Sequence, residues 1–406
     1  MYKSMIEIQS LAICLLAALG VCPELKAQWV PAKEAGVLRV ATYNVSLNRP
    51  VSGQLAKDLA GDTAQAKHLA AVIRAVQPDI LLLNEVDFHA ESENARKFAE
   101  KYLADATTDA LGGDAWPMRY SYDGTVNTGV PSGMDLNANG KTSDPEDAWG
   151  YGRFSGQYGM AVLSRYEIDV GKIQTLQEFA WADLPGALRP KADGEPYYYD
   201  DATWAKLRLP SKSFWGVPIS TPLGRLHVIA SHPTPPAFDG PEDRNGCRNH
   251  DEIRLIQEYI EGADFLRNDD GEKCGLAPSD AFVVLGDLNS DPVDGGSRSE
   301  AIRSLLSHPR VANHATPSSS GAASAAQEQA GANERQSGNP KFDTGDFSDR
   351  SVGNLRVDYV IPSANYEVLR SGVFWPEIGK VEPSLRKAVE QCLKASDHHL
   401  VWVDLR

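Results

Sequence analysis

Apolar residues in this chain fall mostly in short runs, the pattern of buried β-strands. Residues 63–77 instead carry apolar side chains at helical spacing, and Pro78 ends that predicted helix. The same spacing predicts helices over residues 91–103 and 250–260. The predicted strands are residues 37–45, 79–83, 159–164, 226–231, 281–285, 355–361 and 400–405. Strands therefore outnumber helices, and Pro and Gly punctuate the polypeptide between them.

The order of these elements predicts one domain with long loops over residues 28–406. The sequence contains no internal repeat and no second strand-rich block. Residues 316–340 form a low-complexity stretch rich in Ser, Ala, Gln and Gly, which predicts a mobile insertion. Another insertion, near residues 130–150, is rich in Asp, Asn and Gly.

The chain is acidic, because 55 Asp and Glu residues outnumber 40 Lys and Arg residues and give a formal net charge of −15. Its 42% of hydrophobic residues, in a chain of 406, is ample for a core and excludes a disordered or fibrous protein. Nonspecific nucleic-acid binding needs a basic face, so the acidity argues against a protein that passively coats nucleic acid. It does not exclude an enzyme that acts on nucleic acid through bound divalent cations.

The N-terminus has the features of an export signal, expected over residues 1–27. A polar start precedes an apolar run of 11 residues, 11–21, which is too short to span a bilayer. Cleavage after Ala27 gives a protein that is secreted or periplasmic. Cys22 offers a lipoprotein alternative, but Val21 before it is not the small residue that such sites need. No later stretch is apolar for long enough to be an integral membrane segment.

Three cysteines, Cys247, Cys274 and Cys392, follow the expected cleavage point. In an oxidising compartment, a Cys247–Cys274 disulfide with Cys392 left over is one expectation. Three unpaired thiols are the alternative, and both stay open. No cysteine spacing matches a zinc site.

Residues that bind metals or move protons stand at the ends of six predicted strands. A single polar residue at a strand end is usually a turn or a cap, but six such strands in one chain are hard to attribute to turns. Carboxylate and amide oxygens suit a hard cation such as Mg²⁺ or Mn²⁺, and histidines exchange protons near neutral pH. The residues are Asn44, Glu85, His232, Asp287, Asn289, Asp358, Asp397 and His398.

Five short segments resemble the ordered signature of the endonuclease/exonuclease/phosphatase superfamily, which includes deoxyribonuclease-I-like nucleases, abasic-site endonucleases, inositol-phosphate phosphatases and secreted sphingomyelinases. They are ATYNV at 41–45, LNEV at 83–86, GDLNSD at 286–291, RVDY at 356–359 and SDHH at 396–399. The resemblance runs from about residue 37 to residue 406. It implies an α/β fold, a four-layer α/β sandwich with two packed, mostly antiparallel β-sheets.

The resemblance also implies a divalent metal, Mg²⁺ or Mn²⁺, at the active site. Asn44 and Glu85 match early metal-site positions, with Glu85 a direct ligand, and Asp397 matches an acidic residue at or near the metal. A cation of this kind offsets the charge of a phosphate ester and stabilises the pentacovalent state. The sequence has no Gly-x-Ser-x-Gly nucleophile motif and no Gly-x-x-x-x-Gly-Lys phosphate loop.

The remaining strand-end residues match catalytic positions of the family. Asp287 matches the carboxylate that orients or deprotonates the attacking water, and Asn289 a residue that holds that water or a phosphate oxygen. His398 matches a histidine at the phosphate, with Asp358 as its orienting carboxylate. His232 matches a histidine that donates a hydrogen bond or proton across the phosphate. The role of base is assigned to Asp287 and His398 jointly.

Residues 135–146 match the calcium-loop pattern D-x-[DN]-x-[DN]-G-x₅-E at every position. Oxygen ligands, a turn glycine and a bidentate glutamate at position 12 are what calcium needs. The flanks are rich in Gly and Pro, so this is expected to be an isolated loop that orders a surface segment. An acidic Asx/Gly turn without calcium is the alternative. The ligand positions are Asp135, Asn137, Asn139, Lys141, Ser143 and Glu146.

Arg248, His250 and Tyr158 are candidates for contact with the substrate phosphate. For residues 249–252 the alternative is a helix N-terminus, with Asn249 as its cap and acidic side chains in its first turn. For Tyr158 the alternative is a buried aromatic residue.

Three functions fit these residues. The first is a secreted, divalent-metal-dependent phosphoesterase that acts on a small or lipid-like phosphate ester with an activated water, and the acidic charge favours it. The second is an extracellular endo- or exonuclease of the same fold, which a basic, aromatic-lined groove would favour. The third is a binding protein that has lost its chemistry, which the complete residue set argues against. No obligate protein partner is evident.

Overall fold

Two β-sheets form the centre of the protein in a computed structural model, which describes residues 29–107 and 109–406. The export signal expected over residues 1–27 lies outside the described residues. The strands are β1 Leu38–Leu47, β2 Ile80–Val86, β3 Tyr120–Asp123, β4 Met160–Ser164, β5 Gln174–Thr175, β6 Phe214–Thr221, β7 Gly224–Ser231, β8 Phe282–Asp287, β9 Asp358–Pro362, β10 Val368–Val373 and β11 Val401–Leu405. The α-helices are α1 Gln54–Ala60, α2 Ala64–Val76, α3 Asn94–Phe98, α4 Asp201–Trp204, α5 Arg244–Glu261, α6 Glu300–Leu306, α7 Ser320–Gln329 and α8 Arg386–Leu393.

The strand order is β10-β11-β1-β2-β4-β3 in the first sheet and β5-β6-β7-β8-β9 in the second. Each sheet contains one parallel pair, β1 with β2 and β7 with β8. The other neighbours are antiparallel. Strands β1 and β2 lie against β8. The predicted α/β sandwich of two mostly antiparallel sheets is therefore confirmed.

Three hydrophobic clusters fill the spaces between four layers. The cluster between the sheets includes Leu82 of β2 and Val283 of β8. The neighbouring residue Leu83 belongs to a second cluster, which packs the first sheet against α2, α3 and α8. Val284 belongs to a third cluster, which packs the second sheet against α5 and α6. Both faces of the central strands are buried, which explains why they read as continuous apolar runs.

Strand β6 was not predicted, because Gly216 and Pro218 interrupt its apolar pattern. Pro218 pairs with His227 of β7, while the short strand β5 pairs only with Trp215 and Gly216. Pro218 therefore lies at an edge where no neighbouring strand needs its missing N–H group.

Helix α5 begins at Arg244, earlier than the predicted start at residue 250. The interpretation of Asn249 as a cap is therefore wrong, since Asn249 lies inside the helix. Its Nδ2 atom donates hydrogen bonds to the carbonyl oxygens of Thr234 and Leu288, both at 2.9 Å. The Gly and Asn residues near the start of the helix hid its first turns from a propensity argument.

The low-complexity stretch, expected to be a mobile insertion, contains helix α7. Ser319 caps the helix, because its hydroxyl accepts hydrogen bonds from the N–H groups of Gly321 and Ala322. Ala322 is fully buried against the cluster between the sheets. Alanine has the highest helix propensity, which low-complexity composition does not reveal.

An ion pair inside the first sheet joins the two ends of the described chain. Arg39 of β1 donates from Nε and Nη2 to the two carboxylate oxygens of Asp404 in β11, at 2.6 and 2.8 Å. Its Nη1 atom donates to the carbonyl oxygen of Val76 at 2.7 Å. Both charged side chains are almost completely buried, at 1% and 2% exposure. The pair satisfies charges that burial would otherwise make costly.

Cys247, Cys274 and Cys392 are all unpaired and buried in the structure. Of the two expectations for these residues, the structure has the free thiols and not the disulfide. Burial raises the pKa of each thiol, to about 11 for Cys247 and Cys274 and to about 12 for Cys392. The thiols therefore stay protonated at neutral pH.

Among residues 29–107 and 109–406, no helix combines the length and the apolar composition that crossing a bilayer requires.

Candidate active site

Strand ends from both sheets meet at one edge of the sandwich. Asn44 lies near the end of β1, and Glu85 lies near the end of the parallel strand β2. Asp287 ends β8, and Asp358 begins β9 directly opposite it. Because the two sheets pack face to face, the four side chains converge from positions far apart in the sequence.

Two histidines join this edge from the loops beside the strands. His232 follows β7, and His398 lies shortly before β11. At residue 286 the backbone of β8 runs so close to β7 that a Cβ atom would overlap the carbonyl oxygen of Ser231. Gly286 therefore permits the close approach that brings His232 beside Asp287.

His398 lies between two carboxylates. Its Nδ1 atom is 2.9 Å from Oδ2 of Asp358, and its Nε2 atom is 3.6 Å from Oδ2 of Asp287. The Asp358 backbone N–H donates to the hydroxyl of Thr344 at 3.0 Å. All three members of this group are buried, so their interactions are screened little by water.

Asp287 is the common partner of the site. Its Oδ2 atom accepts a hydrogen bond from Nδ2 of Asn44 at 3.1 Å and lies 3.5 Å from Nε2 of His232. Its Oδ1 atom accepts from the backbone N–H of Asn289 at 2.9 Å. This carboxylate is thus in contact with an amide, a peptide N–H and two imidazoles.

The charges of this group stabilise one another. Burial alone would raise the pKa of Asp287, but His398, His232 and Asn44 together hold it well below its usual range. Burial raises the pKa of Asp358 to about 6, although the nearby His398 opposes the rise. Burial alone would lower the pKa of His398, but Asp358 and Asp287 raise it well above its ordinary value. His398 is therefore an imidazolium at neutral pH.

His232 is in the opposite state. Burial, and after it the positive charge of Lys212, lowers its pKa, so its ring is neutral at neutral pH. Its Nδ1 atom is buried and has no hydrogen-bond partner among the described residues. The two site histidines therefore differ in charge, and each faces the Asp287 carboxylate with its Nε2 atom.

Glu85 and Asp397 are the more accessible of the residues expected at the metal, since Glu85 is half-buried and Asp397 is exposed. Both oxygens of Glu85 accept amide hydrogen bonds, Oε1 from Asn44 at 3.1 Å and Oε2 from Asn48 at 2.8 Å. Asp397 is exposed, and its Oδ1 atom accepts from Oγ of Ser46 at 3.2 Å. Glu85 has a φ angle of 62°, a left-handed conformation that costs a glutamate roughly 1–3 kcal/mol.

The side-chain oxygen atoms of Asn44, Glu85 and Asp397 are ligands that suit a hard divalent cation. Such a cation prefers carboxylate and amide oxygens and keeps some water ligands. A second grouping exists: ligand atoms of Asp287, Asp358 and His398 lie within 4.8 Å of one another. That group suits a cation less, because His398 uses its Nδ1 atom for Asp358 and carries a proton on each nitrogen. We therefore place the candidate metal site at the half-buried Glu85.

Sequence reasoning missed Lys212, which lies just before β6. Its side chain is only 7% exposed, and burial lowers its pKa, against the influence of Glu252, Glu85 and Asp287. Its Nζ atom is 3.5 Å from the carbonyl oxygen of Pro233, the residue after His232. The other site residues were found because they lie at the ends of predicted strands. Lys212 would have been found in the same way if β6 had been predicted.

Asn289 and Tyr158 both lie close to the site in left-handed backbone conformations, with φ angles of 51° and 57°. Nδ2 of Asn289 donates to the carbonyl oxygen of Pro233 at 3.1 Å. The Tyr158 N–H donates to Asp87 at 3.2 Å. Burial and the charge of Glu85 raise the pKa of the Tyr158 phenol, so this half-buried side chain remains a hydrogen-bond donor.

Arg248 and His250 are not brought to this cluster by any contact among the described residues. Arg248 donates to three backbone carbonyl oxygens, those of Leu209, Trp149 and Arg208. These bonds tie helix α5 to the neighbouring loops. His250 contacts its neighbour Asp251, with Nδ1 and Oδ1 3.0 Å apart.

The calcium-type loop is held by hydrogen bonds from its own backbone. The two carboxylate oxygens of Asp135 accept from the N–H groups of Asn139 and Gly140, at 3.0 and 2.8 Å. Asn139 Oδ1 accepts from the N–H of Lys141 at 2.9 Å. Glu146, at position 12, is exposed. The segment is thus a turn rich in Asx hydrogen bonds, in which side-chain oxygens of positions 1 and 5 accept from backbone N–H groups of the loop.

Three solved structures are similar to this chain, and the first of them supports the fold. An endonuclease/exonuclease/phosphatase from Beutenbergia cavernae DSM 12333 is 20% identical to this chain, with a TM-score of 0.50 and coverage of 91% of this chain and 71% of that one. A family protein from Leptotrichia buccalis C-1013-b is 16% identical, with a TM-score of 0.44 and coverage of 90% and 98%. The human nocturnin catalytic domain with bound sulfate is 15% identical, with a TM-score of 0.42 and coverage of 91% and 93%.

None of the curated protein sequences matches the chain significantly. The sequence model of the Endonuclease/Exonuclease/phosphatase family, in contrast, matches residues 41–398. That range includes every residue of the candidate active-site cluster, from Asn44 to His398. The chain therefore belongs to the endonuclease/exonuclease/phosphatase family, whose members are metal-dependent hydrolases of phosphoester bonds.

Proposed function

We propose that this protein is an exported phosphoesterase that hydrolyses small or lipid-like phosphate esters by attack of an activated water. The observation that carries the proposal is the buried group in which the His398 imidazolium lies between Asp358 and Asp287. The positive charge of His398, fixed beside the ionised Asp287, can stabilise a phosphate oxygen while the Asp287 carboxylate holds the attacking water. The acidic net charge of the chain favours a small ester over a polyanion.

The metal would be held by Asn44, Glu85 and Asp397, and would be Mg²⁺ or Mn²⁺. When bound, it supplies positive charge that offsets the charge of the phosphate in the transition state. Glu85 is held for this task by two amide hydrogen bonds, so little reorganisation is needed.

Each protein group then has a distinct task in the hydrolysis. Asp287, ionised and in contact with both histidines, orients the attacking water and accepts its proton. His398 donates a hydrogen bond to a phosphate oxygen from Nε2, while Asp358 fixes its ring through Nδ1. His232, which is neutral, donates a hydrogen bond from Nε2 across the phosphate, to the leaving oxygen as its bond to phosphorus breaks. Asn289 holds the water or a phosphate oxygen.

The test is hydrolysis of bis(4-nitrophenyl) phosphate, compared with the monoester 4-nitrophenyl phosphate, by the chain from Gln28 with Mg²⁺ or Mn²⁺. We expect metal-dependent release of nitrophenol that EDTA abolishes. Asp287→Asn should lower kcat by about 10²–10⁴-fold. Asp264→Asn is the matched control, since Asp264 is 97% exposed and distant in sequence from every site residue. Equal activity of the two variants would contradict the role of Asp287.

A nuclease is the second candidate, and one observation favours it. The rings of Tyr151 and Tyr158 lie 6.4 Å apart beside the site, and Tyr151 is 49% exposed. Exposed aromatic rings of this kind stack on bases, at about 1–3 kcal/mol per base. If single-stranded DNA is the substrate, Tyr151→Ala should raise its KM and leave hydrolysis of the nitrophenyl diester unchanged.

Calcium binding by residues 135–146 is part of the proposal. Titration calorimetry with CaCl₂ should give a binding event that Asp135→Ala removes, while Asp193→Ala, an exposed acidic control, retains it. Calcium can fill a weak site outside the cell, where its concentration matches dissociation constants of about 10⁻⁴–10⁻³ M. Export itself is tested by N-terminal sequencing of the cell-free protein, which should begin at Gln28.

A further inference from the structure

The catalytic histidine is covered by an aromatic ring from outside the strand framework. Phe347 packs edge-to-face with His398, with ring centroids 5.3 Å apart and an interplanar angle of 77°. Phe347 lies between α7 and β9, in a region that no sequence pattern connects with the active site. Its side chain is half-buried.

The backbone before Phe347 is tied to both catalytic strand ends. The hydroxyl of Thr344 accepts hydrogen bonds from the N–H groups of Val357 and Asp358, both at 3.0 Å. The His399 N–H donates to the Thr344 carbonyl oxygen at 2.8 Å, and the Asp346 N–H donates to the Asp397 carbonyl oxygen at 2.7 Å. Residues 344–347, here called the clamp segment, therefore bridge the two strand ends that carry the His398–Asp358 pair.

Helix α7 supports the clamp segment from outside. The side chain of Gln329, at the end of that helix, donates from Nε2 to Oδ1 of Asp346 at 2.7 Å. Its Oε1 atom accepts from Nδ2 of Asn354 at 2.8 Å. Gly345 leaves room for the ring, since a Cβ atom there would collide with Phe347. The low-complexity stretch is thus connected to the active site through Gln329 and Asp346.

We propose that Phe347 is a positioning residue for His398. The two polar contacts of His398 act at its ring nitrogens, and neither touches the faces of the ring to limit small rotations of the side chain about its χ1 and χ2 bonds. An edge-to-face aromatic neighbour restricts that rotation. It also displaces water from the ring, which strengthens the charge interaction with Asp358. A small loss of alignment in a reacting group is costly, on the order of 10²-fold for about 1 Å.

The experiment compares Phe347→Ala, Phe347→Tyr and Phe342→Ala. Phe342 is the matched control, because it is a half-buried phenylalanine on the same stretch with no ring contact to His398 among the described residues. For the nitrophenyl diester, Phe347→Ala should lower kcat about tenfold or more with little change in KM. Phe347→Tyr should restore kcat, and Phe342→Ala should keep it. Equal kcat values for the two alanine variants, or failure of tyrosine to restore activity, would overturn the proposal.

The inference rests on the proposed hydrolysis, so a second readout is needed that is independent of turnover. The Nδ1 proton of His398 should give a far-downfield proton NMR signal, assigned by its absence in Asp358→Asn. In Phe347→Ala this signal should broaden by exchange with water, while Phe342→Ala should retain it. If the wild-type protein shows the signal but no hydrolysis, the proposed function is refuted and the positioning role of Phe347 is not. If Phe347→Ala does not fold, Gln329→Ala replaces it and should broaden the same signal; an unchanged signal would overturn the proposal.

Discussion

His398 and Asp358 form a buried hydrogen bond, with 2.9 Å between Nδ1 and Oδ2, at positions 40 residues apart in the sequence. The carboxylate raises the pKa of the imidazole against the effect of burial. The positive charge of His398 is therefore present below that raised pKa and is lost as the pH rises through it. The chemistry proposed for His398 needs this charge.

Asp358→Asn should consequently lower kcat by about 10²–10⁴-fold. It should also move the alkaline limb of the kcat/KM profile to lower pH, because one of the two carboxylates that raise the His398 pKa is lost. The measurement is a pH profile for both proteins at one fixed metal concentration. If the alkaline limbs of the two profiles superimpose, the assignment of that limb to His398 is contradicted.

Glu85→Gln should weaken metal activation. The substitution keeps the amide contacts possible but removes the negative charge, so the Mn²⁺ concentration for half-maximal activity should rise about 10- to 100-fold. Activity should return in part at high metal concentration. Glu91→Gln, at an exposed position nearby, is the control. An unchanged activation curve would place the metal elsewhere.

We expect the Lys212 ammonium to bind a phosphate oxygen, so Lys212→Met should lower kcat/KM for the diester about 10- to 100-fold, the worth of a hydrogen bond to a charged group. Methionine fills the buried position without a charge. Because Lys212 also lowers the pKa of His232, the acid limb of the pH profile should move to higher pH. Lys206→Met, at an exposed position, is the control and should leave kcat/KM and the acid limb unchanged. If Lys212→Met also leaves both unchanged, Lys212 has no role in phosphate binding.

Asp404→Asn should destabilise the protein by about 3–5 kcal/mol, because it leaves the buried Arg39 guanidinium without its counter-charge. Urea unfolding followed by tryptophan fluorescence measures the change. Asp264→Asn, which affects an exposed ion pair, should change the stability by less than about 1 kcal/mol. A loss of similar size in the two variants would show that the Arg39–Asp404 pair contributes little.

The central strands could be predicted from the sequence because both of their faces are buried. Leu81, Leu82 and Leu83 alternate between two hydrophobic clusters, so no polar position interrupts the run. Strand β6 escaped prediction because Gly216 and Pro218 interrupt its apolar pattern, and Pro218 is tolerated there because the short edge strand β5 does not reach it. Propensity and periodicity do not contain that tertiary information.

The candidate site could be predicted as far as its residues belong to strand ends. Asn44, Glu85 and Asp287 follow apolar runs, so their types and positions indicated a metal-dependent site. Phe347 has no such marker, because its proximity to His398 depends on how the preceding helix packs. The protonation states were also beyond the sequence, since they arise from burial and from the distances to Asp287.

The hydrogen bond from Oγ of Ser396 to the carbonyl oxygen of Asn44, 2.7 Å long, joins residues 352 positions apart. A contact of this kind cannot form until nearly the whole chain has been synthesised, and closing the long loop between the two residues costs conformational entropy. The candidate cluster therefore depends on contacts between residues that are far apart in the sequence. During refolding, recovery of activity should lag behind the circular dichroism signal of the helices, and a nascent chain remains inactive until its last strand has been synthesised and paired with β1.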